Sequence, residues 1–215
     1  PVLTCNTPDA FRFGTVGKTL YNVEVKVEED GEISARGPNV MLGYYKKEEK
    51  TKEVLNDEGW FHTGDIGTID QDGFLKITDR KKSLIVTSGG KNIAPAPIEN
   101  AISNSIYVEQ CVIIGDKRNF ISALIVPSFE NIETYLKGQS LNLDGNEAMI
   151  EHPEVLSLLE NEVEKQMVNF AKFERVKKIT LSPRMFTIDK GELTPKMSIV
   201  RKVVLANFSD IIDLM

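Results

Sequence analysis

A charged run, Asp79-Arg80-Lys81-Lys82, divides this chain into two stretches whose apolar residues repeat differently, so one regular pattern cannot describe both. Before the run the period is two. Val23, Val25 and Val27 alternate with Asn22, Glu24 and Lys26, and the turn Glu29-Asp30-Gly31 leads into Glu32-Ile33-Ser34-Ala35. Alternate side chains of a strand point to opposite faces, so this reads as a hairpin with one buried face. A second hairpin pairs residues 66–69 with 74–77 across Asp70-Gln71-Asp72-Gly73. Residues 46–55 between them are polar, with a short helical tendency.

After the run, strands and helices alternate. Residues 83–87 read as a short strand, Ser88-Gly89-Gly90-Lys91-Asn92 as a glycine loop, and Pro95 as the first turn of a helix, where a missing N–H costs nothing. Residues 111–115 and 122–127 read as strands. Ile132, Tyr135 and Leu136 fall at helical spacing before Gly138. Residues 139–153 are polar and without a period. A longer helix carries one apolar stripe from Val155 through Val163 and Met167 to Phe173. A strand over 177–181 and a helix over 199–212 complete the chain. The fold class expected is α+β: a small β-rich subdomain over 1–78, a connecting segment at 79–82, and a compact α+β domain over 83–215 with a short central sheet and flanking helices.

At 215 residues both parts can bury a core, and 41% apolar with 27% charged residues is a soluble composition. A net charge of −6 argues against a general nucleic-acid partner. Cys5 and Cys111 have no metal-ligand spacing and form no disulfide framework, which fits a reducing compartment. No apolar run approaches the roughly 18 residues of a membrane span. The opening Pro1-Val2-Leu3-Thr4-Cys5 lacks the basic region of a signal peptide, so the expected location is cytoplasmic.

Three motifs carry chemistry. Gly59-Trp60-Phe61-His62-Thr63-Gly64-Asp65 reads as a turn ending in Asp65, an acceptor-only carboxylate suited to two adjacent hydroxyls. Arg80 offers a permanently charged donor fork, and Lys196 in Gly191-Glu192-Leu193-Thr194-Pro195-Lys196 a compact ammonium on a loop. Separately, such a turn, charge run or loop lysine is usually only turn or solvated surface. Their order and spacing carry the signal. His62 and His152 lack metal-ligand partners and do not read as general bases, and Gly14-Thr15-Val16-Gly17-Lys18 reads as a structural turn.

In that order the motifs resemble the C-terminal part of AMP-forming acyl-CoA synthetases, in the superfamily of acyl/aryl-CoA ligases, peptide-synthetase adenylation domains and luciferases. The stretch Val86-Thr87-Ser88-Gly89-Gly90-Lys91-Asn92-Ile93-Ala94-Pro95 is most similar to long-chain fatty acyl-CoA synthetases. The resemblance implies that Asp65 binds the ribose hydroxyls, that Arg80 contacts the nucleotide, and that Lys82 is a hinge. It implies that Gly89, Gly90 and Lys91 line the tunnel for the pantetheine arm of coenzyme A. It gives Lys196 the catalytic role, meeting the acyl carboxylate and α-phosphate, although many relatives have glycine where Pro195 stands.

The implied substrates are a fatty acid, ATP with Mg²⁺, and coenzyme A. The family's Pro-Lys-Gly phosphate loop and Tyr-Gly-x-Thr-Glu motif do not occur here, and no metal ligands are expected in this chain. The chain therefore reads as the last third of a synthetase: residues 1–78 end the large N-terminal domain, 83–215 form the mobile C-terminal domain, and the isolated chain is inactive. The missing part of the N-terminal domain is its expected partner, and the intact enzyme is expected to be cytoplasmic or membrane-peripheral. Two alternatives stay open: an adenylating enzyme that loads a carrier protein, and a non-catalytic nucleotide-binding module.

Overall fold

The computed structural model describes residues 1–213. The chain divides into two compact units, Pro1–Leu84 and a second beginning at Ile85.

The first unit is β-rich. Strands β1 (Thr4–Cys5) and β2 (Lys18–Thr19) pair antiparallel. Strands β3 (Glu24–Val27) and β4 (Glu32–Arg36), the short helix α1 (Glu48–Lys52), and strands β5 (Phe61–Ile69) and β6 (Leu75–Arg80) follow. The last four strands form one antiparallel sheet in the order β3-β4-β5-β6. Val25 and Val27 turn inward on β3, as their period requires. In β4 both faces are buried rather than one: Ile33 and Ala35 face the core, while Glu32 and Ser34 lie beneath polar side chains described below. Gly17 is a structural glycine, with φ of +91° and a position where a Cβ would lie 2.0 Å from the Cys5 carbonyl carbon.

The second unit opens with β7 (Ile85–Val86) and β8 (Asn92–Ile93), a two-rung hairpin around the glycine loop. Helix α2 (Pro95–Ile102), β9 (Val108–Ile114), β10 (Ser122–Pro127) and helices α3 (Phe129–Gly138), α4 (Asn146–Glu151) and α5 (Pro153–Gln166) follow. Then come β11 (Lys178–Leu181), α6 (Arg201–Asn207) and α7 (Ser209–Ile212). The central sheet has the order β11-β10-β9, antiparallel between β9 and β10 and parallel between β10 and β11. A parallel pair needs a crossover, here supplied by α3, α4 and α5.

Strand β10 is buried along its whole length because both faces of the sheet are covered. Ala123 and Ile125 join Cys111, Ile113, Val155 and Leu159 in one core. Leu124 and Val126 join Val112, Phe186, Leu193 and Val204 in the other. Each fully buried aliphatic or aromatic side chain contributes on the order of 1.5–3 kcal/mol.

Three further expectations change. The helix expected over 199–212 is two, α6 and α7, interrupted at Phe208, whose buried ring packs in the second core. The apolar stripe running to Phe173 is not one helix: α5 ends at Gln166, and the side chain of Arg175 donates to the Val168 and Phe170 carbonyls at 3.1 Å each. That gives those carbonyls partners outside a helix, and Phe173 is exposed. The patternless stretch before α5 contains α4, pinned by buried Met149 and by Asn146 Nδ2, which donates to the Pro183 carbonyl at 3.0 Å. His152 caps α5, its Nδ1 accepting the Glu154 N–H at 3.2 Å. Among the described residues no helix is long and apolar enough to cross a membrane.

Candidate functional site

Asp65 and Arg80 lie directly opposite each other on β5 and β6, through an irregularity in the ladder. Ile69 pairs with Leu75 and Gly67 with Ile77, but Ile66 then pairs with Asp79 and Asp65 with Arg80. Thr78 is the extra residue on β6, and its hydroxyl donates to the Ile66 carbonyl at 3.2 Å. If Thr78 were instead paired with Ile66 in the register of Gly67 and Ile77, Asp65 would face Asp79, two like charges across a strand pair. With Thr78 bulged out, Arg80 Nε lies 2.7 Å from Asp65 Oδ1 in an ion pair. The Arg80 side chain is 71% exposed and that of Asp65 only 23%, so a recessed carboxylate is met by a solvent-facing guanidinium.

The expected turn at Thr63-Gly64-Asp65 is instead a distorted part of β5. Gly64 has φ of +73°, a left-handed conformation that glycine takes without penalty. Backbone groups that leave the ladder find side chains. Gly64 N–H donates to Glu32 Oε1 at 3.0 Å; Thr63 Oγ1 donates to the Ile33 carbonyl at 2.7 Å and accepts the Asp65 N–H at 3.1 Å. Asp65 is therefore held from the β4 side by residues that sequence reasoning passed over.

Glu32 is the centre of that support. Its Oε2 accepts from Lys81 Nζ at 2.9 Å and lies 3.1 Å from His62 Nδ1, and Lys81 also pairs with Asp30 at 2.7 Å. Hydrogen bonds to Asp30 first, then to Glu32, raise the Lys81 pKa above its ordinary value, and Lys81 lowers that of Asp30. His62, which has no metal-ligand partner in the sequence, belongs to this network and also lies 3.3 Å from Ser34 Oγ. These groups wall a cleft of about 1030 Å³ in the first unit that also reaches Tyr44, Phe61, Arg80 and Lys82. Lys82 is exposed in the single 3₁₀ turn Lys81–Ser83 that follows β6.

In the second unit, Gly89, Gly90 and Lys91 are exposed at the tip of the β7–β8 hairpin. Thr87 N–H donates to the Lys91 carbonyl and Lys91 N–H to Thr87 Oγ1, both at 3.1 Å, and Gly90 has φ of +74°. Lys91 Nζ lies 5.6 Å from the ring centre of Phe173.

Lys196 is exposed on a tight hairpin rather than an open loop. Leu193 bridges to Ile199, Thr194 N–H donates to the Ser198 carbonyl at 2.8 Å, and Met197 N–H donates to the Thr194 carbonyl at 2.8 Å. Pro195 and Lys196 are the two corner residues of that turn. The root is buried: Glu192 has no exposed surface and receives both terminal nitrogens of Arg184 at 2.9 and 2.7 Å. Asn207 Nδ2 and the Thr187 N–H complete its shell at 2.9 and 3.0 Å. Arg184 above all holds the Glu192 pKa down at about 2 against the opposing effect of burial. Glu192 stands inside the Gly191–Lys196 motif, but nothing in that motif announces its burial; its partners lie 5, 8 and 15 residues away.

The sequence family described as the AMP-binding enzyme C-terminal domain matches residues 82–215. A long-chain-fatty-acid–CoA ligase of Mycobacterium tuberculosis is 38% identical over 203 residues, which are 94% of this chain and 34% of that protein. One from Gallus gallus is 32% identical over 235 residues, covering 98% of this chain and 30% of the relative. The chain thus spans about a third of the length of these relatives. Among solved structures, an ATP-bound RpMatB–BxBclM chimera matches with a TM-score of 0.68 at 28% identity, over 97% of this chain and 39% of the chimera. The adenylation domain of a carboxylic acid reductase from Segniliparus rugosus, in complex with AMP, shares the fold with a TM-score of 0.71 at 21% identity, over 93% and 32% of the two chains.

Proposed function

The chain belongs to the AMP-binding enzyme C-terminal domain family, and from that premise we propose that the intact protein is an AMP-forming ligase of long-chain fatty acids and coenzyme A. The activity for which these relatives are named supports the reaction, and the cross-strand pairing of Asp65 with Arg80 is the observation that carries the site. In this reading residues 1–78 end a larger adenylation domain and 79–82 connect it to a mobile domain. Phe13, Leu42 and Tyr45, each at least 85% exposed on the first unit, support a further part of the same protein packing there.

In the first step a carboxylate oxygen attacks the α-phosphorus of ATP and pyrophosphate leaves. In the second the coenzyme A sulfur attacks the acyl carbonyl, the thiol proton is lost, and AMP leaves. Asp65 accepts from the two ribose hydroxyls while Arg80, already oriented by Asp65, donates to the nucleotide. Lys196 places positive charge where the carboxylate and α-phosphate meet, and Gly89 with Gly90 presents a side-chain-free edge to the pantetheine arm. Lys82 absorbs the backbone rotation that exchanges these two hairpins. Magnesium would neutralise phosphate charge. In this reading its ligands come from the remainder of the intact protein.

Carboxylate-dependent exchange of pyrophosphate into ATP tests the proposal. Exchange is expected from the intact protein and not from the 215-residue chain alone. In the intact protein Lys196→Ala should cut it by about 10²–10³-fold, the loss of one positioned charge donor. Exchange by the short chain would refute its reading as a partial enzyme. Unchanged exchange in Lys196→Ala would remove the lysine from the mechanism.

A further inference from the structure

We propose that Glu192 is the positioning residue for Lys196. This rests on the catalytic reading of Lys196 and adds to it a buried anchor for its hairpin.

A lysine can be delivered to a reacting centre in two ways. It can ride a flexible loop that searches for the site, or it can be fixed to a rigid body that moves as a whole. The second unit supplies the second arrangement. From the exposed tip, rungs run back through Thr194 and Ser198 to the Leu193–Ile199 bridge, and the Val200 N–H donates to the Glu192 carbonyl at 2.8 Å. At that root the Glu192 side chain leaves the surface entirely and enters a shell built from two pieces of chain, Arg184–Thr187 and the end of α6. Arg184 grips it with two parallel bonds, Asn207 reaches it from the end of α6, and the Thr187 N–H completes it.

The shell is itself held. Arg184 stacks 4.4 Å over the Phe208 ring, which meets Phe186 edge-on. The Phe186 backbone is clasped by Gln110, whose Oε1 accepts its N–H at 2.6 Å and whose Nε2 donates to its carbonyl at 3.3 Å. Lys196 is thereby tied, four residues from Glu192, to the sheet itself. A bidentate pair fixes orientation as well as distance, which a single ammonium–carboxylate contact would not. Tilting that root displaces the tip, and a shift of about 1 Å in a reacting group can cost about 10²-fold in rate. A carboxylate that only held the domain together would have no reason to affect one half-reaction more than the other.

The test uses the intact protein and separates the half-reactions. Glu192→Gln keeps the side chain's shape and removes the charge that receives Arg184. Carboxylate-dependent ATP–pyrophosphate exchange is expected to fall about tenfold or more through kcat, with the KM for ATP changed by less than about twofold. The coenzyme A-dependent consumption of added, preformed fatty acyl-adenylate should stay within about twofold of the parent. Asn207→Ala, which removes one arm of the shell, should show the same split at about threefold and serves if Glu192→Gln does not fold. An equal fall in both half-reactions, or no fall in either, overturns the inference. Lys196→Ala is the control: if it lowers exchange while Glu192→Gln and Asn207→Ala do not, Glu192 alone loses its role. If Lys196→Ala leaves exchange untouched, the reading of the lysine fails first and the inference with it.

Discussion

Two arginine–carboxylate pairs, one in each unit, are alike in chemistry and opposite in setting. Arg80 reaches Asp65 through one nitrogen at 2.7 Å and stays 71% exposed. Arg184 holds Glu192 through two nitrogens, and the carboxylate has no exposed surface. Exposed pairs contribute little to stability because water screens them, whereas a buried pair cannot lose one member without stranding the other. The difference teaches where to look for each kind of role. A pair left partly unsaturated at the surface has bonds to give to a ligand, and a saturated one underneath has bonds to give to the fold.

That contrast can be broken by experiment. The largest effect is expected for Glu192→Ala, which strands Arg184 and should cost about 3 kcal/mol in denaturant unfolding of the chain. A loss no larger than that of Asp65→Ala would erase the distinction.

Acid comes next. Glu192 has a folded pKa of about 2 against an ordinary 4.5. Its contribution is therefore complete above about pH 4.5 and is lost as pH falls toward about 2. The thermal midpoint of the parent should drop steeply across that window, and the slope should be shallower in Glu192→Gln.

Third, Asp65→Ala and Arg80→Ala should each weaken AMP binding to the intact protein by about tenfold, the scale of a hydrogen bond to a charged group. Titration calorimetry reads this directly, and unchanged affinity would remove the pair from the nucleotide site. Smallest of all, the same two substitutions should shift unfolding stability by less than about 1 kcal/mol. A larger loss would mean that the exposed pair is also structural.

The local patterns in the sequence led to much of this architecture, and long-range ones did not. Val25 and Val27, the Pro95 helix start and the buried β10 strand follow from periodicity and turn chemistry, which act within a few residues. The distortion at Gly64 does not, because its N–H is satisfied by Glu32 from another strand. The end of α5 does not either, since the apolar period continues while Arg175 takes the carbonyls beyond the helix. The same division holds for the site. Asp65, Arg80 and Lys196 stand in recognisable motifs. Glu32, Lys81 and Glu192 are placed by partners 5 to 51 residues away, and read in sequence as ordinary surface charges.

The extra residue on β6 makes the candidate site a matter of reading frame at the protein level. An in-frame gain of a single codon between Leu75 and Asp79 would keep every charged residue of the motif. With one residue still bulged, it would nevertheless move Arg80 past Asp65 and set the Asp79 carboxylate before it, whereas loss of one residue would take up the bulge and keep the pair. Gain at the hairpin tip, residues 70–73, meets no such constraint, because a turn can absorb length that a ladder must pass on. Inherited insertions in this segment should therefore gather at the tip and spare the strand, even where individual strand residues are exchangeable.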